Sequence, residues 1–170
     1  RLQDMQWKAQ VEWMRANTLT FEELDLVAYR NEWEQGVPLG WVEHRQAWAL
    51  NGKYGSWVKG NQVAVQVNDT IFLHGGISAN YCKFSLRSLT EQVITAMEGH
   101  DPAITTIVND PFGPLWYRGL AREEEAEVFS QTLDNILKRY GAKRIVVGHS
   151  PTGGIVWPRF DQRVVVNDTG

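Results

Sequence analysis

The sequence predicts a layered α+β domain, helical at its start and strand-bearing afterwards. Up to about residue 60 the apolar residues recur at roughly helical spacing. From Gln62 the pattern changes to period-two, β-branched runs. A strongly amphipathic stretch over 129–140 then lies between two such runs, which argues against a pure bundle.

Taken in order, residues 2–16 place Leu2, Met5, Trp13 and Met14 at roughly helical spacing. Thr20-Phe-Glu-Glu23 has the form of a capping box opening a second helix toward Trp33, and Gly36-Val-Pro38 ends it. A third helical stretch covers about 41–51. The runs NQVAVQVN and Thr70-Ile-Phe-Leu73 read as two strands, joined by a tight turn at Asn68-Asp69 into a hairpin. Ser85 or Ser88 caps the next helix, whose Leu86, Leu89, Val93 and Met97 share a face; Ser88 and Glu91 have capping-box spacing. Residues 99–119 are rich in Gly, Pro and Asp and read as a structured loop. Phe129, Leu133, Ile136, Leu137 and Tyr140 then mark a helix. Glu123 to Glu125 stand at its start, Lys138 and Arg139 at its end, and Gly141 closes it, in the sense the helix dipole favours. Arg144-Ile-Val-Val147 and Arg163-Val-Val-Val166 are the last strand candidates.

With 170 residues and 43% apolar side chains, the chain can bury one core. Seventeen Lys and Arg against 20 Asp and Glu leave a net charge of -3 and no basic run. That balance predicts neither a nucleic-acid partner nor a membrane surface. Cys82 stands alone, so no internal disulfide is expected and cysteine assigns no compartment. The expectation is a soluble chain, with the cytoplasm slightly favoured and the compartment otherwise unassigned. The sequence opens at Arg1 in a helical pattern and stops at Asp168-Thr169-Gly170 just past a strand, so both ends read as cut. Five of the eight tryptophans (Trp7, Trp13, Trp33, Trp41 and Trp48) fall in the helical part. Core packing is their expected role, with a lid or groove as the alternative.

Two histidines share a setting. His74 follows Ile71-Phe-Leu73 and precedes Gly75-Gly76; His149 follows Ile145-Val-Val-Gly148 and precedes Ser150-Pro-Thr-Gly-Gly154. Ligands of layered α/β architectures bind where strands end and loops begin, and neutral imidazole is a common transition-metal ligand. Two such placements point to a metal site more than to two satisfied core histidines. His44 reads as a surface or packing residue and His100 as a solvated helix end.

A serine esterase would also place His-Gly-Gly before Gly-x-Ser, with Ser150 as nucleophile. Thr152 occupies the position of the elbow's second glycine, Pro151 has no N–H for an oxyanion, and no histidine follows Ser150. A cut chain explains the missing histidine but not the proline, so the esterase stays as the lesser alternative.

Gly52-Lys-Tyr-Gly-Ser-Trp57, Asp69-Thr-Ile-Phe-Leu-His-Gly-Gly-Ile-Ser78, Asn109-Asp-Pro-Phe-Gly-Pro-Leu-Trp-Tyr-Arg118, Val147-Gly-His-Ser-Pro-Thr152 and Val166-Asn-Asp-Thr-Gly170 occur in this order. Together they resemble the calcineurin-like metallophosphoesterases, in the phosphoprotein-phosphatase-related branch that contains the bacterial Shewanella-like phosphatases. The likeness covers about 40–170. It implies an α-β-β-α sandwich, incomplete here, of which 1–170 is the C-terminal part: 1–60 mainly helical, 61–170 carrying the later metal loops. It also implies hydrolysis of phosphomonoesters at two divalent transition metals (Mn, Fe or Zn), on phosphoserine, phosphothreonine or phosphotyrosine proteins or on small phosphomonoesters. The family's Asp-x-His, Gly-Asp-x-x-Asp-Arg-Gly and Gly-Asn-His loops are absent from this chain. By resemblance His74 and His149 serve one metal, and the isolated chain is expected to be inactive.

Arg118 is the candidate phosphate clamp, because a guanidinium offers a bidentate, permanently charged fork. Trp116 and Tyr117 are expected to stack on it or shape the pocket. Asp110 resembles an acidic residue near the family's site, with a turn-starting Asp-Pro as the plainer reading. Asp168 is a candidate hydrogen-bond acceptor standing behind His149. Ser150 and Thr152 are expected to satisfy loop backbone groups. The alternative to an enzyme is a catalytically dead binding module of the same fold.

Overall fold

The computed structural model describes residues 2–99 and 104–168, so His100 lies outside the described residues. The chain divides into two compact units, Arg1–Gly60 and Asn61–Gly170.

The first unit is helical: α1 (Leu2–Asn17), a 3-10 turn (Phe21–Glu23), α2 (Leu26–Gly36), α3 (Trp41–Trp48) and α4 (Lys53–Lys59). The capping box expected at Thr20 does not form. Thr20 makes no side-chain cap; Asp25 starts α2 instead, its carboxylate accepting from Val27 and Ala28 N–H at 3.0 Å each. Helix α4 was not anticipated, because Gly52 and Gly55 argue against helix. The apolar residues of α1 do not all share one buried face. Trp7 and Met14 are buried, while Met5 and Trp13 are 65% and 61% exposed. Trp7 packs with Trp33 (ring centroids 5.3 Å) and Tyr29 (5.9 Å), and Trp41 and Trp48 are 36% and 48% exposed. Core packing therefore describes Trp7 and, in part, Trp33, but not all five tryptophans. His44 is exposed beside Trp48.

The second unit is built on a mixed five-stranded sheet of order β1-β2-β3-β5-β4. Strands β1 (Ala64–Val67) and β2 (Thr70–Leu73) form the hairpin, with Asn68 in the left-handed region (φ 56°) at its turn. Strand β2 pairs in parallel with β3 (Arg144–Val147), and β3 in parallel with β5 (Val164–Val166). Strand β4 (Trp157–Arg159) closes the far edge antiparallel to β5. It was not anticipated; three residues centred on Pro158 carry no strand signal, and proline is tolerated there because an edge strand can spare one N–H.

Helix α5 (Leu86–Glu98) is capped by Ser85, whose hydroxyl accepts from Ser88 N–H at 3.1 Å. The Ser88–Glu91 box is not used, since Glu91 pairs with Arg87 at 2.8 Å. A short α6 (Gly119–Arg122) precedes α7 (Glu127–Tyr140). Gly141 ends α7 with φ 62°, a backbone shape that explains the glycine. The core joins Ile71, Ile145, Val147, Val164 and Val166 of the sheet to Leu120, Leu133, Ile136 and Leu137 of the helices. Glu125 does not belong to the start of α7. It turns to β4, pairing with buried Arg159 at 3.2 Å and accepting from Phe160 N–H at 2.8 Å. Among the described residues no helix is long and apolar enough to cross a membrane.

Candidate imidazole site at the parallel strand ends

The registers Leu73↔Val147 and Val147↔Val166 bring the carboxyl ends of β2, β3 and β5 level. The segments leaving these three strands must therefore meet at one edge of the sheet. His74 continues β2, Gly148-His149 continues β3, and Asn167-Asp168 continues β5. Backbone hydrogen bonds extend the alignment: Gly148 N–H to His74 O at 2.9 Å and Asn167 N–H to Val147 O at 2.7 Å. Glycine at 75 answers a tight approach, because a Cβ there would stand 2.7 Å from Pro114 O. Gly75 N–H donates to that same carbonyl at 2.9 Å, tying the His74 loop to the 110–118 segment.

At this edge His74 Nε2 and His149 Nδ1 stand 2.9 Å apart, with ring centroids at 4.7 Å. His149 takes a left-handed backbone (φ 60°), a strain that turns its ring toward His74. The edge of Trp116 packs on His149 at 5.2 Å and 87°, and the indole is itself fixed by Nε1–H donating to Val108 O at 2.7 Å. Burial holds the His149 pKa below the ordinary histidine value. The charges of Arg118, His74 and Arg122 add to that effect, and Asp168 opposes it. The shift favours the neutral form of the ring, the form that can donate a lone pair.

Two facing nitrogens can share one proton or one cation. Nitrogens bound to a common transition ion at about 2.1 Å each stand roughly 3.0 to 3.4 Å apart, from right-angled to tetrahedral arrangements. The observed separation is close to the lower end. The pair fits two ligands of one ion but is not a complete site. Among the described residues no group of three or more His, Cys, Asp or Glu side chains is arranged to hold a metal.

The other candidates separate. Arg118 is near enough to His149 for its charge to act on that imidazole, and it has no ion-pair partner among the described residues. Arg122 was not anticipated. It sits one turn further along α6, its N–H donating to Arg118 O at 2.9 Å, and likewise lacks an ion-pair partner among the described residues. An arginine at a helix end reads as a solvated complement to the dipole, so no sequence signal singled it out.

Asp110 works as a turn organiser, accepting from Phe112 N–H and from the Tyr81 hydroxyl, both at 2.8 Å. Tyr117 packs into the core, its ring over Gly76 and against Gly119, rather than on Arg118. Burial, with the Glu123 charge, raises its pKa. Asp168 makes no hydrogen bond to His149 among the described residues; it acts there as a charge, while its carbonyl accepts from Thr152 N–H at 2.8 Å. Thr152 does satisfy backbone groups, its hydroxyl also reaching the Ile155 and Asp168 carbonyls. Ser150 does not: its hydroxyl is buried without a partner among the described residues, as is His149 Nε2. Among the described residues Ser150 and His149 are not hydrogen-bonded to each other, so nothing there supports the esterase alternative.

No protein-family profile matches the chain. It is 27% identical over 131 residues to an uncharacterised protein of Schizosaccharomyces pombe, covering 72% of this chain and 39% of that protein. Among solved structures it is similar to a cold-active protein tyrosine phosphatase (25% identity, TM-score 0.62, 72% of this chain and 37% of that one). It is equally similar to a cold-active protein tyrosine phosphatase of a psychrophilic Shewanella (25% identity, TM-score 0.59, 71% and 37%). The chain spans less than two-fifths of the length of each of these relatives, and over the shared part it has a phosphatase-like fold.

Proposed function

We propose that this chain supplies one part of a metal-dependent phosphatase, with His74 and His149 as two ligands of one ion in a dinuclear centre. The observation that carries the reading is the pair of imidazole nitrogens 2.9 Å apart at the ends of adjacent parallel strands. The remaining ligands would come from polypeptide beyond these residues, in keeping with the fraction of each relative that the chain spans. Manganese, iron or zinc suits imidazole. Bound ions supply charge neutralisation of the phosphoryl group and activation of water.

The chain's own residues position and protect. Arg118 holds phosphoryl oxygens with its unpaired fork. Trp116 fixes the His149 ring. In this reading the proton of His149 sits on buried Nε2, and Asp168 is the carboxylate assigned to accept it. The substrate is a phosphorylated protein or small phosphomonoester, with phosphotyrosine favoured by the names of the structural neighbours. A sandwich with a second layer is supported by the row Val65, Phe72, Val146, Val165 across one sheet face, of which Val65 and Phe72 are 38% and 40% exposed.

The absence of a third ligand among the described residues favours one other reading, a non-catalytic binding module of the same fold. Titration with cobalt or zinc separates the two. We expect one ion bound weakly through the imidazoles, lost in His74→Ala and in His149→Ala. A longer protein containing this chain should hydrolyse p-nitrophenyl phosphate only with both histidines present. No ion binding, or turnover indifferent to both substitutions, sinks the proposal. Robust metal-dependent turnover by the 170-residue chain alone would refute the incomplete-site half of it.

A further inference from the structure

Directly after His149 the chain borders a cavity of about 420 Å³ between α6 and the loop that leaves β3. Its size falls within the range of small-molecule sites. Val166 and Ala121 form buried walls, and Ile155 and Trp157 complete them while remaining 59% and 45% exposed. These large apolar groups are held in place rather than loose. Trp157 pairs with Val166 in the sheet, and the buried Arg159 guanidinium lies 4.9 Å from its ring centroid. The Ile155 loop is tied to β5 by the Thr152 bonds to Asp168 O.

The polar side of the lining is sparse and unspent. Arg122 is its one charged residue and has no ion-pair partner among the described residues. Ser150, only 7% exposed, brings a hydroxyl with no hydrogen-bond partner. A fixed aromatic wall, one uncommitted guanidinium and one uncommitted hydroxyl complement an apolar group that carries a single acid.

We propose that this cavity binds an aromatic or branched aliphatic carboxylate, its acid on Arg122 and its hydrocarbon against Ile155 and Trp157. Resting on the phosphatase reading, the same site would seat the organic part of the phosphoester, and it selects substrates whose organic part is apolar and bears a further acid.

Phenylacetate and its neutral isostere phenylacetamide test this, read by NMR on the Ile155 methyl and Trp157 indole of the full chain. Saturable shifts are expected with phenylacetate, and binding about tenfold weaker with the amide. Arg122→Gln should bring the acid down to the level of the amide. Ile155→Ser, at an exposed position, should weaken both. Absence of saturation, equal binding of acid and amide, or acid binding unchanged in Arg122→Gln overturns the proposal. Zinc added to the same sample reports separately on His74 and His149. Ion binding without phenylacetate binding overturns the cavity alone. Phenylacetate binding without ion binding overturns the phosphatase reading and leaves the cavity as an acid site.

Discussion

Helix α1 leaves Met5 and Trp13 largely in water and buries only Trp7 and Met14, whereas α7 buries Leu133, Ile136 and Leu137 against a sheet. The same contrast runs through both units. Among residues 2–60 the side chains of Leu19, Val27, Leu39, Trp48 and Trp57 are also exposed. Order there leans on local aromatic and ionic contacts, such as Trp7 against Trp33 and Arg30 bridging Asp4 (3.1 Å) and Glu34 (2.8 Å). Pairs this exposed contribute little, on the order of 0–1 kcal/mol each. In the second unit one buried cluster lies on the sheet and a second gathers around Leu89, Val93 and Ile107, and the strands are held in register. The second unit is ordered around a sheet core, and the first around contacts between neighbouring helices.

The largest expected effect sharpens that contrast. Ile145, fully buried in the central strand, should cost about 2–5 kcal/mol on substitution by alanine, through lost transfer energy and a cavity. Trp13→Ala, although it removes a larger side chain, should change stability by no more than about 0.5 kcal/mol. Urea unfolding of both variants measures this. Comparable losses would show that α1 packs in solution as it does not here.

Legibility in the sequence divides along the same line. The hairpin at Asn68, the strand before His149, helix α7 and the Gly141 cap were legible because local pattern and tertiary role agree there. So was the placing of His74 and His149, since two buried runs entering glycine loops can only end at a sheet edge. Other features were settled by distant partners. Strand β4 exists because Trp157 and Arg159 pair with Val166 and Val164, which a three-residue run around proline cannot announce. Glu125 looks like a helix-start charge but belongs to Arg159, 34 residues away. Asp25 took the cap that Thr20 and Glu23 advertised, because the 3-10 turn at Phe21 moved the start of α2. Ser150 and Arg122 gained meaning only from a cavity that no periodicity describes.

A second, smaller effect tests whether the site's geometry depends on the rigid unit. Gly75→Ala would place a methyl 2.7 Å from Pro114 O and 2.9 Å from Leu115 C, both backbone atoms that cannot swing aside. A loss of about 1–3 kcal/mol is expected from that overpacking. The shift should also separate His74 from His149, so ion affinity should fall more than stability alone predicts. Unchanged ion affinity in a destabilised Gly75→Ala protein would show that the imidazole pair does not rely on the Pro114 contact.

The smallest effect is confined to alkaline solution and again belongs to the second unit. Tyr81 and Tyr140 both have pKa values raised to about 12, mainly by burial, with the Asp110 carboxylate adding to the first and Cys82 to the second. Their hydroxyls donate to Asp110 Oδ2 at 2.8 Å and Phe84 O at 2.7 Å. A raised folded-state pKa means that the folded chain keeps its phenolic protons when the unfolded chain has begun to release them near pH 10. Stability from these groups is therefore complete below about pH 10 and drains away as the pH climbs toward about 12. Urea midpoints followed across that window should fall, and fall less steeply in Tyr81→Phe and Tyr140→Phe, which have no proton to lose. Amide exchange would add the regional contrast: opening should quicken first around α5, α7 and the 104–112 turns, where these two rings pack. A drop that ignores both substitutions would place the alkaline weakness elsewhere.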